Sequence, residues 1–217
     1  MRLREHNKFS PKSWNGKFQE HIVFILGNGP SLNKYDSKIF ANYYTIGVNR
    51  CYKYFIPTIT IWQDKTFNTT CEEDLQDLPS VLFTTCDLNT CNKYSSYKHI
   101  KGDYKKTNSP DILYGSGCTL PLAVQLADVC GFKKIILVGC DGRYVGTETN
   151  FYGKNQYHNS NTLKNYNAAY LWIKEHFADK IYDCSGNTYF TQIDLLEFIN
   201  SIDAVKITRF EQLKSLL

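Results

Sequence analysis

Four short segments of the chain combine residue types that could do chemistry. Gly27-Asn28-Gly29-Pro30-Ser31 follows the apolar run HIVFIL at 21–26. A glycine-rich turn between a strand and a helix brings backbone N–H groups close to a phosphate. Asn28 and Ser31 can add side-chain hydrogen bonds, although Ser31 can equally cap the next helix. The spacing matches neither a dinucleotide fingerprint nor a Walker loop, so phosphate binding and a purely structural tight turn both remain open. Gly115-Ser116-Gly117 is a second small-residue turn, at the entrance to an apolar helix. It suits a carboxylate or phosphate, or else simple capping and close packing. Gly139-Cys140-Asp141 follows the run KIILV and continues through Arg143-Tyr144 to Tyr152. An acidic residue just past a strand's carboxyl end stands where open α/β sheets bind ligands, so Asp141 either holds a ligand hydroxyl or caps the turn. His158 lies in the polar stretch Tyr157-His158-Asn159-Ser160. An imidazole there can act as general acid or base near neutral pH, or be a bystander. No Ser–His–Asp or Cys–His order is legible, and no His/Asp cluster has metal-ligand spacing.

The elements that must position these residues alternate. Apolar runs predict strands at 21–26, 44–48, 57–62, 80–85, 134–138 and 180–184. A helix is expected from the 27–31 turn to about Asn42, and an acidic loop or short helix over 71–79. A helix buried almost all round is expected over 117–130. Leu163, Tyr166, Tyr170, Ile173 and Phe177 fall at three- and four-residue spacing and predict a helix over 161–177. Two terminal helices follow, the last opening at Thr208 with Glu211 three residues on, a capping-box pattern. The stretch 86–110 has no clear period. Residues 1–20 are polar and are expected to form an N-terminal arm, with one domain over 21–217 and a lid loop over about 140–160. Strands alternating with helices imply an α/β fold with a mostly parallel sheet covered on both faces.

Bulk properties narrow the function classes. The 217 residues carry 25 Lys+Arg against 21 Asp+Glu, a net charge of +4. That mild basicity suits an anionic small molecule and gives no strong nucleic-acid signal. The eight cysteines, at 51, 71, 86, 91, 118, 130, 140 and 184, include no Cys-x-x-Cys pair. With no secretory signal and no transmembrane segment in the sequence, the chain reads as a reduced, cytoplasmic protein. Its 16 tyrosines and its cysteines are compatible with self-association as a homo-oligomer.

Taken in order, GNGPSL at 27–32, Gly-Val-Asn-Arg at 47–50, Ser116-Gly117 and the Asp141–His158 segment resemble bacterial family-42 sialyltransferases. They are also similar to the wider motility-accessory-factor and pterin-diphosphokinase-like (DUF115-type) domains. The resemblance spans about 21–190 and implies a single Rossmann-like domain that uses a CMP-sialic-acid-like donor and no resident cofactor or metal. By that resemblance, Gly27, Asn28, Gly29 and Ser31 would meet the nucleotide and Asn49 would hold the donor. The Ser116-Gly117 turn would bind the sugar carboxylate, Tyr144 and Tyr152 would hydrogen-bond the leaving phosphate, and His158 would be the general base toward a glycan or other hydroxyl acceptor. Two departures stand out. Ile112-Leu113-Tyr114 replaces an arginine before the Ser-Gly turn, and Asp64 replaces a donor-contacting asparagine. An acid at 64 would repel a carboxylated sugar but could bind sugar or base hydroxyls, which weighs against sialic acid rather than against the fold. Two other readings use the same residues. One is a Mg²⁺-dependent diphosphokinase-like or nucleotide-hydrolysing enzyme, with Asp64 and Asp141 on the metal and Arg50 or Arg143 as cation. The other is a non-catalytic nucleotide-binding module.

Overall fold

Ile22–Leu26, Tyr44–Val48 and Ile135–Val138 are buried at every position, as strands covered on both faces must be. The computed structural model describes residues 7–8, 11–85, 93–96, 98–101, 104–115, 117–143, 149–153, 160–202 and 205–216; of 7–8, 68, 93–96, 98–101 and 160–162 it describes the backbone. Its strands are β1 (Asn7–Lys8), β2 (Ile22–Leu26), β3 (Tyr44–Val48), β4 (Ile59–Trp62), β5 (Val81–Thr84), β6 (Lys93–Ser96), β7 (Lys98–Lys101), β8 (Ile112–Gly115), β9 (Lys134–Val138), β10 (Ile181–Asp183) and β11 (Thr191–Gln192). The helices are α1 (Lys65–Thr70), α2 (Glu72–Gln76), α3 (Leu120–Val129), α4 (Ser160–Phe177), α5 (Leu195–Ser201) and α6 (Arg209–Leu216).

Among the described residues nine strands form one sheet in the order β1-β6-β5-β4-β3-β2-β9-β10-β11, every neighbouring pair parallel. β7 and β8 pair separately. The chain therefore builds outward from β2 in one direction through β3, β4 and β5, then returns to β2's other side with β9 and β10. The exits of β2 and β9 lead to opposite faces, which makes this junction the topological switch point of the sheet. The α/β, Rossmann-like expectation describes this architecture.

Alternation along β2 divides the core. Val23 and Ile25 face a layer containing α3, α4 and Leu216 of α6. Ile22, Phe24 and Leu26 face Leu32, Phe40, Leu195 and Phe198. Each fully buried large side chain contributes about 1.5–3 kcal/mol relative to exposure, so the two layers fasten the flanking helices and turns to the two faces of the sheet. A smaller cluster around Trp62, Phe67 and Leu75 seats α1 and α2 against Leu82 of β5.

Several expectations are corrected. The helix expected up to Asn42 is two short 3-10 turns, Pro30–Lys34 and Ser37–Phe40. Tyr35 is extended between them, and the Asp36 carboxylate restarts the chain by accepting from Lys38 N–H at 2.9 Å. The arm expected over 1–20 does not extend over 11–20: Trp14 and Phe18 are buried in the main core, and Trp14 Nε1 donates to Leu216 O at 3.0 Å. The acidic 71–79 stretch holds α2, whose first turn carries Glu72, Glu73 and Asp74 as the helix dipole favours. The unreadable 86–110 stretch holds β6 and β7. The capping box at Thr208 is present, with Thr208 N–H donating to Glu211 at 2.9 Å and Glu211 N–H to Thr208 Oγ1 at 3.3 Å. No helix among the described residues is long and apolar enough to cross a membrane.

Candidate functional site

At the switch point the turns after β2 and β9 are locked to each other. Gly27 N–H donates to Val138 O at 2.8 Å and Gly29 N–H to Gly139 O at 2.7 Å, which extends the β2–β9 ladder past the strand ends. A Cβ on Gly27 would lie 2.2 Å from Gly139 O, and one on Gly29 would lie 1.7 Å from Asp141 Oδ2. Gly29 has φ −69°, which any residue adopts, so close approach and not backbone conformation requires glycine there. Asp141 is buried, and its Oδ2 accepts from Ser31 Oγ at 2.8 Å. Burial pushes the Asp141 carboxyl above its ordinary range, while the bonds from Ser31 and from backbone N–H groups pull it back. Gly27, Gly29, Ser31 and Asp141 are thus brought together, and the contacts they make are with one another. The Asp141 carboxylate thus ties the β9 exit to Ser31 in the turn that follows β2.

The side chains of the neighbouring exits form a second group. Asn28 Nδ2 donates to Val48 O at 2.8 Å, bridging from β2 to the end of β3. That bond fixes the carboxamide's orientation and leaves Asn28 Oδ1 buried with no hydrogen-bond partner among the described residues. Asn49 Oδ1, at the end of β3, is also buried and unpartnered among them. Asn49 has φ +52°, the one non-glycine residue in the left-handed region among those described. Asparagine tolerates that region best, and such outliers concentrate at functional sites.

Over this edge lies the turn 149–153, the described part of the lid segment besides 140–143. Phe151 N–H donates to Asn28 O at 2.8 Å, and Asn33 Nδ2 donates to Phe151 O at 3.0 Å. Asn150 and Gly153 close the turn on themselves through a pair of backbone bonds. The turn presents Tyr152, which is 43% exposed, toward the guanidinium of Arg50. Burial of the phenol raises its pKa, and the facing Arg50 charge opposes that shift. Arg50 donates to Thr70 Oγ1 of α1 at 2.9 Å and lies over the Phe67 ring, 5.5 Å from its centroid. Asp64, at the end of β4, is exposed and caps α1 by accepting from Thr66 N–H at 2.8 Å.

On the other side of the switch point, the segment Asp183-Cys184-Ser185-Gly186-Asn187 supports the β9 exit. Cys140 N–H donates to Ser185 Oγ at 2.8 Å, and Cys140 O accepts from Tyr170 Oη at 2.7 Å and Asn187 Nδ2 at 3.3 Å. Asp183 is buried, accepts from Gln192 Nε2 at 2.8 Å, and is likewise raised above the ordinary carboxyl range by burial. This support was missed in the sequence, although a polar Asp-Cys-Ser-Gly-Asn run directly after a strand carried the signal. Arg50 enters the sequence reading through the Gly-Val-Asn-Arg motif and as the cation of the metal-dependent alternative, whereas Thr70 is not singled out there.

Gly117, at the end of the second glycine turn, packs against α4. Gly117 has φ +62°, and a Cβ there would lie 2.6 Å from Asn165 Nδ2 of α4. The strand before it is fastened to α3 by Gln125, whose Oε1 accepts from Tyr114 N–H at 3.1 Å and whose Nε2 donates to Tyr114 O at 2.5 Å. His158, Tyr144 and Ser116 lie outside the described residues. Among the described residues no group of three or more His, Cys, Asp or Glu side chains is placed to hold a metal ion.

No family model matches the chain, and no curated protein matches it. Among solved structures it is similar to the sialyltransferase CstII from Campylobacter jejuni, in complex with the substrate analogue cytidine-5'-monophosphate. The identity is 15%, the match covers 80% of this chain and 85% of that chain, and the TM-score is 0.48.

Proposed function

We propose that the protein transfers a sugar from a nucleotide-activated donor to a hydroxyl acceptor, without a metal ion. The observation that carries this reading is the pairing at one sheet edge of two orphaned carboxamide acceptors, Asn28 Oδ1 and Asn49 Oδ1, with the donors Arg50 and Tyr152. A buried acceptor without a partner costs about 1–3 kcal/mol. The amino and hydroxyl groups of a nucleoside supply the missing donors, and the phosphate groups it carries accept from Tyr152 and, beyond it, Arg50. One ligand class satisfies both halves of the set.

Transfer then needs donors on the departing phosphate and one base near the acceptor. The acceptor oxygen bonds to the anomeric carbon as the bond from that carbon to the phosphate oxygen breaks. The electron pair leaves with the phosphate, where the hydroxyls of Tyr152 and Tyr144 stabilise the developing charge. The acceptor's proton passes to His158, which stands two residues ahead of α4 in the chain. Ser116 and Gly117 line the sugar side.

The test pairs binding with turnover. Calorimetry in EDTA with nucleoside mono- and diphosphates is expected to show binding that Asn28→Ala weakens while its melting temperature changes little. His158→Ala is expected to lower sugar transfer or donor hydrolysis by about 10²–10⁴-fold at nearly unchanged nucleotide affinity. Equal activity of the His158 variant and the parent protein removes His158 from the mechanism, and unchanged affinity on removal of Asn28 returns that turn to a structural role.

A further inference from the structure

The site holds a positive charge that its own contacts do not match. Arg50 is half-buried, packs its flat face on Phe67, donates to Thr70 Oγ1 and faces the Tyr152 hydroxyl. These partners hold the guanidinium in place, yet all of them are neutral. Among the described residues Arg50 has no carboxylate within ion-pair distance. Asp64 is engaged in capping α1, and Asp74 is taken by Lys53 at 3.2 Å and by the Tyr52 hydroxyl at 2.7 Å. A guanidinium has five N–H donors in a planar fork, and such a fork, held rigid and partly desolvated, matches a phosphoryl group. It stands next to Asn49 in the chain and two residues beyond Val48, whose carbonyl accepts from Asn28.

We infer that Arg50 binds a second phosphoryl group of the donor, which is therefore a nucleoside diphosphate sugar whose sugar is uncharged. This inference rests on the transferase reading above. The single charge of a monophosphate diester is matched by neutral donors such as tyrosine hydroxyls and backbone N–H groups. Arg50 adds a whole charge to that set, and a diphosphate adds a second anionic group one bridging oxygen away. On the sugar side the balance is reversed. The turns 27–31 and 115–119 carry no cationic side chain, and Asp64 at the end of β4 offers an exposed carboxylate oxygen. A sugar carboxylate meets no counter-charge from these residues, whereas sugar hydroxyls meet an acceptor.

The experiment is titration calorimetry of the full chain, in EDTA, with CMP and CDP, UMP and UDP, and GMP and GDP. For the nucleotide that binds, the diphosphate is expected to bind at least about 10-fold more tightly than the monophosphate, the gain of one charge-assisted contact. Arg50→Gln is expected to weaken the diphosphate about 10–100-fold and to leave the monophosphate within about 3-fold, so that the preference collapses. Arg50→Lys keeps the charge and the stem that packs on Phe67, and is expected to retain part of the preference. Equal affinity for mono- and diphosphate in the parent protein, or a preference unchanged in Arg50→Gln, overturns the inference while nucleotide binding itself leaves the transferase reading in place. If no nucleotide binds, the transferase reading falls and this inference falls with it. The parent protein's own mono- to diphosphate ratio decides the matter even if a variant fails to fold.

Discussion

Replacing Gly29 by alanine isolates the contact that locks the two switch-point turns. The new Cβ would sit 1.7 Å from Asp141 Oδ2, 2.6 Å from its Cγ and 2.8 Å from Gly139 O. Its backbone, at φ −69° and ψ 155°, suits alanine, so no conformational strain enters. Fewer unfolded conformations would even favour the variant by about 0.4–1 kcal/mol. Against that, overpacking costs about 1–3 kcal/mol. Expelling the carboxylate also breaks the 2.8 Å bond from Ser31, a charge-assisted bond in a buried setting that contributes about 1.5–3 kcal/mol. The net expectation is a loss of about 2–5 kcal/mol, which for a domain of this size lowers the melting temperature by about 10 °C. Urea unfolding of Gly29→Ala, Asp141→Ala and the double variant forms a cycle. Removing the carboxylate relieves the closest clash, so the double variant is expected to be more stable than additivity allows by at least about 1 kcal/mol. The rescue is partial because the Gly139 carbonyl remains in the way. A Gly29→Ala protein within about 0.5 kcal/mol of the parent, or strict additivity in the cycle, refutes the reasoning.

Other expectations follow from the same geometry. Burial holds Asp141 and Asp183 above the ordinary carboxyl value of 3.8, so their folded forms hold protons more tightly than the unfolded chain. Their contribution to stability is full below that value and is lost as pH rises through the raised folded value. Asp141→Asn is therefore expected to lose less stability than the parent between pH 4 and pH 7, measured as urea midpoints, and a steeper loss contradicts the assignment. Cys51, Cys71, Cys118, Cys130, Cys140 and Cys184 are free and buried, and burial raises the thiols of Cys51, Cys118, Cys130, Cys140 and Cys184. Thiol titration of the native protein is expected to label no more than two of the eight cysteines quickly and all eight in denaturant; fast labelling of three or more contradicts the burial. Arg209 bonds the carbonyls of Pro57 and Pro79, both at 2.5 Å, beneath the amino ends of β4 and β5. Arg209→Ala is expected to cost about 2–4 kcal/mol and to leave nucleotide affinity unchanged, because it stands at the edge of the sheet opposite the site.

Patterns confined to one element were the legible ones. The apolar runs gave the central strands because a strand buried on both faces needs no alternation, and the stripe from Leu163 to Phe177 gave α4 because a helix buries one side. Trp14 and Phe18 were illegible because two aromatics in a polar stretch have no period; only their contacts with Phe83, Tyr44 and Phe132 reveal them as core. The polar exits of β2, β3 and β9 were visible as candidates, since Gly, Asn, Ser and Asp past a strand end are unusual as packing residues. Which partners they choose was not, because Gly29 needs Asp141, 112 positions away, and Asn28 needs the carbonyl of Val48.

That partner choice changes where recognition can reside. A glycine-rich turn after the first strand ordinarily suggests backbone N–H groups aimed at a phosphate. Here the Gly29 N–H is already bonded to Gly139 O, and the space beside its Cα is filled by the Asp141 carboxylate. A buried carboxylate under the turn also opposes an anion directly above it when ionised. The glycines therefore serve the junction between the two halves of the sheet, and the junction fixes the spacing of its neighbours. Asn28 is pulled across to β3, Asn49 is held in the left-handed region, and the 149–153 turn is fastened to the Asn28 carbonyl. Among the described residues the side-chain donors this arrangement leaves for an anion are Arg50 and Tyr152, beyond the turn that first suggests the site. The affinity loss on removing Arg50 is accordingly expected to exceed that on exchanging Ser31 for alanine, whose hydroxyl already serves Asp141. The reverse order would return phosphate recognition to the glycine turn.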